Sequence, residues 1–245
     1  MDAETLLPRL FPQGHAVEFD GEFFAGPGRC GDTEVTVIGA RNKAPIGVEL
    51  AHRMAAAVLE TVREHPGRPI VLLVDTSGQR LSRRDELLGV NGYMAHLAKC
   101  LELARRTGNR TLGLVYGEAV SGGFLATSLL ADVCYALPEA EIRVMNLPAM
   151  ARVTKIPLER LQELSKTSAV FAPGVENYHR MGAIRALWDG DLAAHLEAAL
   201  AEAEEGDRRR LDGEARGGRT LARARRSATR SRSAVPASSD RTRPA

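Results

Sequence analysis

Two continuous apolar runs, each ending in a glycine-bearing polar corner, set the architecture open to this chain. The first is PIVLLVDTSGQ (69–79). The second is TLGLVY (111–116), which runs directly into GEAVSGGFLA (117–126). A strand with one wet face alternates apolar and polar residues. These two do not alternate, so both of their faces are covered, as in a parallel sheet dressed with helices on both sides. Between them, residues 83–106 carry Leu87, Leu88, Met94, Leu97, Leu101 and Ala104 at helical spacing, which predicts one helix with those residues inward. Upstream, Pro45 opens a helix to about His65, with Val48, Ala51, Ala55, Val58, Leu59 and Val62 on one face.

The rest of the chain fits around that frame. Residues 15–40 alternate around Gly and Pro turns and read as a small antiparallel unit. After the second corner come a helix over 121–131 and two short strands, 132–137 and 141–145, joined by PEAE. Helices follow at 156–166 and 175–182, then a weak strand at 183–188. The last helix, 191–205, places Leu192, Leu196, Ala199 and Leu200 on one stripe, which is expected to lie exposed and to meet a partner subunit. The beat is strand–strand–helix, shorter than the βαβ period of a dinucleotide fold, and there is no internal repeat.

Charge divides the chain. Residues 206–245 hold 12 Arg and 4 acidic residues, a net of +8, so against a whole-chain +2 the first 205 carry about −6. A mildly acidic body is not that of a nucleic-acid binder. The expected organisation is one domain over 1–205 and an Arg-rich, disordered tail over 206–245. Cys30, Cys100 and Cys134 have no metal-like spacing and read as buried thiols in a reducing compartment. The acidic N-terminus lacks a signal-peptide layout, and no apolar run approaches 18 residues. The expectation is a cytoplasmic protein with no membrane association and no metal.

The corner at 117–126 admits three chemistries. A phosphate cradle needs a Lys after its glycines or a Gly-x-Gly-x-x-Gly spacing, and neither is present. A nucleophile elbow is suggested by Ala119-Val120-Ser121-Gly122-Gly123, but a serine needs a positioned base. Serine peptidases of the caseinolytic Clp type, which resemble this stretch, place a histidine shortly downstream. Here the matching segment is Val144-Met145-Asn146-Leu147-Pro148, and an amide is no base. Ser121 is then a turn residue and helix cap. The third chemistry is an oxyanion site. Glycines at a helix start leave backbone N–H groups accessible, and the helix dipole adds to their pull. A packing-only turn accounts for the same glycines.

At this point the paired stretches VLLVDTSGQ (71–79) and GEAVSGGFLA resemble the carboxyltransferase branch of the crotonase superfamily, and most of all the gamma subunit of biotin-independent malonate decarboxylase. DTSGQRLSRRDELLGVNGYMAHLAKCLELARRTGNR and VMNLPAMARVTKIPLERLQELSKTSAVFAPGVENYHRMGAI carry the likeness further, over roughly residues 15–200. The resemblance implies an α/β fold of the ClpP/crotonase type, a spiral of strand–strand–helix units. It implies decarboxylation of malonyl-S-acyl carrier protein to acetyl-S-acyl carrier protein together with a homologous beta subunit. The carrier protein delivers a dephospho-CoA-derived arm, and this chain holds no covalent cofactor. Gly122 and Gly123 are the implied oxyanion donors. Asp75, Thr76, Ser77, Gly78 and Gln79 line the opposite side, with Ala119, Val120, Ser121 and Asn146 beside the substrate. Ser77 stands where the family commonly has proline. Two alternatives stay open: the alpha-type subunit of an acyl-CoA carboxyltransferase, and a scaffold subunit whose own corner is silent. Local readings stay open as well. Asp75 orients a loop or binds turn amides, Gln79 is a site donor or a solvated residue, and Glu118 caps amides or acts as an acid.

Overall fold

The computed structural model describes residues 1–167, 173–202 and 206–218. The chain opens with α1 (Ala3–Leu10), which the reading of the N-terminus does not anticipate. Its local signal is Asp2, whose carboxylate accepts the Thr5 N–H at 2.8 Å. Ala3, Leu6, Leu7 and Leu10 then form its buried face.

Strands β1 (Glu18–Asp20), β2 (Phe23–Cys30) and β3 (Thr33–Ala40) form the expected antiparallel unit. The short β4 (Pro45–Ile46) leads into α2 (Val48–Glu64). β5 (Ile70–Thr76) joins β3 in parallel, and the short β6 (Gly78–Gln79) pairs with β4 in a separate two-stranded ladder. α3 (Arg83–Leu87) and α4 (Val90–Arg106) follow, then the long β7 (Thr111–Val120) and α5 (Ser121–Leu125). β8 (Val133–Ala136) pairs with the first half of β7, and β9 (Glu141–Arg143) with its last three residues. The main sheet runs β1-β2-β3-β5-β7-β8, with β9 also on β7. The units β3-β4-α2 and β5-β6-α3-α4 repeat the strand–strand–helix beat.

The buried strands explain themselves by alternation across the sheet. Val71 and Leu73 of β5 point into a core with Leu6, Leu10 and Leu196. Ile70 and Leu72 point to the other face, against Ala51, Met54, Val58 and Leu97. A third cluster at the carboxyl ends of the strands gathers Val74, Val115, Ala119, Phe124 and Ile142.

The expected single helix over 83–106 is two. Gly89 takes φ 75° and breaks it, a left-handed turn that glycine adopts without strain. The break turns Leu87 and Leu88 outward, to 78% and 48% exposure, against the expectation that they face inward. Leu59 is also at the surface. Pro45 lies in β4, so α2 starts three residues later than expected, with Gly47 as its N-cap. The expected strand at 183–188 reduces to a single bridge, Ala136 to Leu187.

The C-terminal part comprises α6 (Leu147–Thr154), α7 (Leu158–Thr167), α8 (Val175–Arg180), α9 (Leu192–Ala201) and α10 (Arg209–Ala215). The stripe Leu192, Leu196 and Ala199 is buried against the chain's own core beside α1, with the half-buried Leu200 packed on it, so it is no subunit interface. The tail expected from 206 begins with α10, which is held to the body by Arg216. Its guanidinium donates to the carbonyls of His179 at 2.8 Å, Ile184 at 3.0 Å and Arg185 at 3.0 Å. The tail's residues 219–245 lie outside the described residues. Among the described residues no helix is long and apolar enough to cross a membrane, and no group of His, Cys, Asp and Glu is arranged to hold a metal.

Candidate active site

The site is built where two loops leave the carboxyl ends of β5 and β7. Ser121 takes φ 47°, a left-handed conformation uncommon outside glycine and concentrated at functional sites. It turns the chain sharply from β7 into α5. The N-cap of α5 is Val120, and no side chain caps it. The N–H groups of its first turn thus have no capping acceptor. Ser121 is therefore the first helical residue and not the cap. Among the described residues its hydroxyl has no hydrogen-bond partner, and so no base to activate it. α5 is only five residues long, so the donors themselves, more than a macrodipole, give the corner its affinity for negative charge.

The two loops are pressed together. A Cβ on Gly123 would stand 2.9 Å from both Gly78 Cα and Thr76 Oγ1, closer than any side chain tolerates. A Cβ on Gly78, at φ 106°, would stand 3.1 Å from the Val120 carbonyl oxygen. Gly122 is less crowded and half-buried: its missing Cβ would meet Met94 Cε at 3.3 Å and Gln79 Oε1 at 3.8 Å. Thus Thr76, Gly78 and Gln79 do lie against Val120, Gly122 and Gly123, as expected. Ala119 is buried behind them, paired with Thr76 across the sheet.

Hydrogen bonds separate residues that face outward from residues that hold the frame. Thr76 Oγ1 donates to the Ala44 carbonyl at 2.6 Å and accepts the Gly78 N–H at 3.1 Å. Ser77 N–H donates to the Lys43 carbonyl at 3.2 Å, with the Ser77 side chain exposed. Gln79 Nε2 donates to Glu86 Oε1 at 3.2 Å, which fixes it at the rim. Asp75 is buried, and both its carboxylate oxygens accept backbone N–H groups: Glu118 at 2.7 Å and Lys43 at 2.8 Å. It binds the frame, so its place is among the supports. Asn146 is exposed and accepts the Ala149 N–H at 2.8 Å as the cap of α6, which accounts for it without a substrate.

Sequence reasoning passed over Lys43 and Arg143, and placed Met94 only in a helix core, not beside Gly122. Glu118 is neither a cap nor a free acid: Lys43 Nζ lies 2.6 Å from one oxygen and Arg143 2.8 Å from the other. Burial alone would raise its carboxyl, but the Lys43 hydrogen bond and the Arg143 charge outweigh that and hold it below the usual glutamate range. Asn42 and Lys43 both take positive φ, 60° and 53°. The available sequence signal was the Asn in a turn before Pro45, since Asn tolerates that conformation. Two histidines downstream of the corner are engaged elsewhere: His195 stacks on Trp188, and His179 packs near Arg216.

The frame matches known proteins. A family model described as the malonate decarboxylase gamma subunit matches residues 41–233. The chain belongs to the malonate decarboxylase gamma subunit family. That match runs beyond residue 206, past the end of the likeness legible in the sequence. A curated relative of this gamma-type chain, the malonyl-S-ACP:biotin-protein carboxyltransferase of Malonomonas rubra, is 34% identical over 230 residues, covering 80% of this chain and 78% of that one. Among solved structures, a Pseudomonas malonate decarboxylase hetero-tetramer in complex with coenzyme A superposes with TM-score 0.74 at 24% identity, over 92% of this chain and 97% of that chain. A chain of the transcarboxylase 12S core gives TM-score 0.68 at 18% identity, over 81% of this chain and 40% of that one. The gamma-type chain therefore has the crotonase-like α/β fold of the carboxyltransferases, and its role is that of a decarboxylase subunit.

Proposed function

We propose that this chain, paired with a homologous beta subunit, removes CO₂ from a malonyl thioester borne on an acyl carrier protein and leaves the acetyl thioester, as a cytoplasmic carboxy-lyase. In that step the bond between the methylene carbon and the carboxylate breaks. Its electron pair moves into the thioester carbonyl, CO₂ departs, and the resulting enolate carbon takes a proton from solvent. The negative charge appears on one oxygen, and donors aimed at that oxygen lower the barrier. The N–H groups of Gly122 and Gly123 are assigned that task. The observation that carries the reading is the uncapped start of α5, where a strained Ser121 and two glycines present donors beside the 76–79 loop while, among the described residues, no base reaches the Ser121 hydroxyl. Decarboxylation needs donors and no protein nucleophile.

Support for the partner and the carrier comes from the relatives: one is named for malonyl-S-ACP, and another is solved as a hetero-dimer of malonate decarboxylase subunits. The dephospho-CoA-derived arm belongs in this reading to the substrate, entering over the exposed Ser77 and the half-buried Gly122. A second reading is favoured by the Malonomonas relative's name, which describes carboxyl transfer to a biotin protein. The same enolate forms, and CO₂ is captured. Product analysis with and without a biotin carrier separates the two.

The site itself is tested by a pair of variants in the assembled complex. Gly122→Ala keeps the N–H, and Gly122→Pro removes it. Gly122→Pro is expected to lose about 10²–10³ in turnover, and Gly122→Ala far less. Equal turnover of the two, in complexes of equal melting temperature, overturns the assignment.

A further inference from the structure

β5 and β7 pair in register from Ile70↔Thr111 to Val74↔Val115, and again at Thr76↔Ala119. Between those points β5 supplies one residue, Asp75, and β7 supplies three: Tyr116, Gly117 and Glu118. β7 bulges there, three residues before Ser121 turns the chain into α5. Bulges sit beside active sites because they re-aim the residues beyond them. A bulge also strands backbone N–H groups, and buried ones require an acceptor.

The Asp75 side chain fills the gap. One oxygen accepts the Glu118 N–H at 2.7 Å, and the other accepts the Lys43 N–H at 2.8 Å. Its own carbonyl accepts the Ala44 N–H at 3.1 Å. Gly117 has no alternative, because a Cβ there would overlap the Asp75 carboxylate. The second oxygen reaches across to Asn42-Lys43, two consecutive non-glycine residues at positive φ. That loop accepts Ser77 N–H on Lys43 and Thr76 Oγ1 on Ala44. One buried carboxylate therefore fixes, at once, the bulge that aims the 121–123 corner and the loop that carries 76–78.

We propose that Asp75 is a positioning residue: its carboxylate plugs the β7 bulge and sets the relative aim of the Gly122–Gly123 corner and the 76–79 loop without touching substrate. The inference rests on the decarboxylase reading only for its activity readout. It differs from a substrate-binding role for Asp75, because both oxygens are already engaged by backbone donors.

The discriminating variant is Asp75→Asn in the assembled complex. It is isosteric, but its amide turns one N–H donor against another at either Glu118 or Lys43. The expected result is a kcat lower by about 10–10²-fold, as an ångström of misplacement produces, with KM for the malonyl-carrier within about threefold of wild type. Gly117→Ala displaces the same carboxylate and gives the same split, and the double variant is little worse than either single one, because the two act through one contact. Independently of turnover, hydrogen–deuterium exchange rises in peptides covering 41–45 and 116–123 and stays unchanged in α9. Wild-type kcat in Asp75→Asn, a rise in KM alone, or unchanged exchange at 41–45 and 116–123 overturns the proposal. Absence of malonyl-carrier turnover in wild type itself would instead sink the decarboxylase reading, while the exchange measurement still decides the role of Asp75.

Discussion

Asp85 Oδ1 accepts the N–H of Val48 at 2.8 Å, across 37 positions of sequence. α2 begins on a glycine with no side chain to cap it, so a carboxylate from the start of α3 does so. A Cβ at Gly47 would stand 2.6 Å from that oxygen, which is why the cap residue is glycine. The Ser82 hydroxyl also donates to Asp85. These two bonds, from Ser82 first and Val48 second, hold its carboxyl below the usual aspartate range. Asp85→Ala removes the remote cap and is expected to lower Tm by roughly 2–6 °C, with faster exchange confined to the first turn of α2. An unchanged Tm would show that water replaces the cap without loss.

The trio Glu118, Lys43 and Arg143 makes stability depend on pH. Glu118 has a lowered carboxyl, since Lys43 and Arg143 outweigh its desolvation. A group with a depressed folded-state pKa contributes fully above its unfolded value and loses that contribution as pH falls through the folded one. Lys43 is raised, first by its hydrogen bond to Glu118, so its share is lost only as pH climbs through that raised value. Both contributions therefore hold between about pH 5 and 10. Glu118→Gln is expected to be less stable than wild type at pH 7. The two denaturation curves should converge as pH drops below about 4. A stability difference that stays constant into acid would show that geometry, not charge, holds Glu118.

Leu196 is fully buried in the core against α1. Leu196→Ala is expected to cost about 2–5 kcal/mol by urea denaturation of the isolated chain. Subunit pairing measured by light scattering should stay at wild-type strength below the unfolding temperature. Weakened pairing of a chain that remains as stable as wild type would restore the stripe as an interface.

How far the molecule was legible in its sequence depends on the range of each interaction. β5 and β7 were readable because apolar continuity over 70–74 and 111–116 is a local property that both faces of the sheet demand. Likewise Gly122 and Gly123 could be placed at a helix start. Asp75 was located correctly at a strand end, yet its partners, Lys43 and Glu118, lie 32 and 43 positions away. Nothing local says that a bulge will open opposite it. Leu87 and Leu88 kept helical spacing with the residues after them, and only the left-handed turn at Gly89 shifts their phase. The stripe on α9 was visible, but its cover, α1, is contributed from the opposite end of the chain.

Residues 206–218 belong to the folded body. Arg composition there suggested a tail without structure, yet α10 docks through specific contacts. A Cβ at Gly182 would stand 2.6 Å from Gly213 N, so the bare Gly182 lets the two backbones touch. Arg209 donates to the Ala131 carbonyl, and Arg216 satisfies three carbonyls of the 179–185 segment. That segment is in turn laid along β8, where Arg185 N–H donates to the Cys134 carbonyl at 2.7 Å. α10 is thus a clasp on the strand next to β7. Ending the chain after Glu205 strips the clasp, whereas ending it after Gly218 keeps each of these contacts. Hydrogen bonds from a charged donor contribute about 1.5–3 kcal/mol each in favourable cases and are not additive. The truncation at 205 is therefore expected to lower stability by about 2–4 kcal/mol, with exchange rising across 175–186. The truncation at 218 should match the full chain in Tm and turnover. Arg216→Ala in the full chain should reproduce most of the loss. Equal melting temperatures for the two truncations would show that α10 rests on the body without holding it.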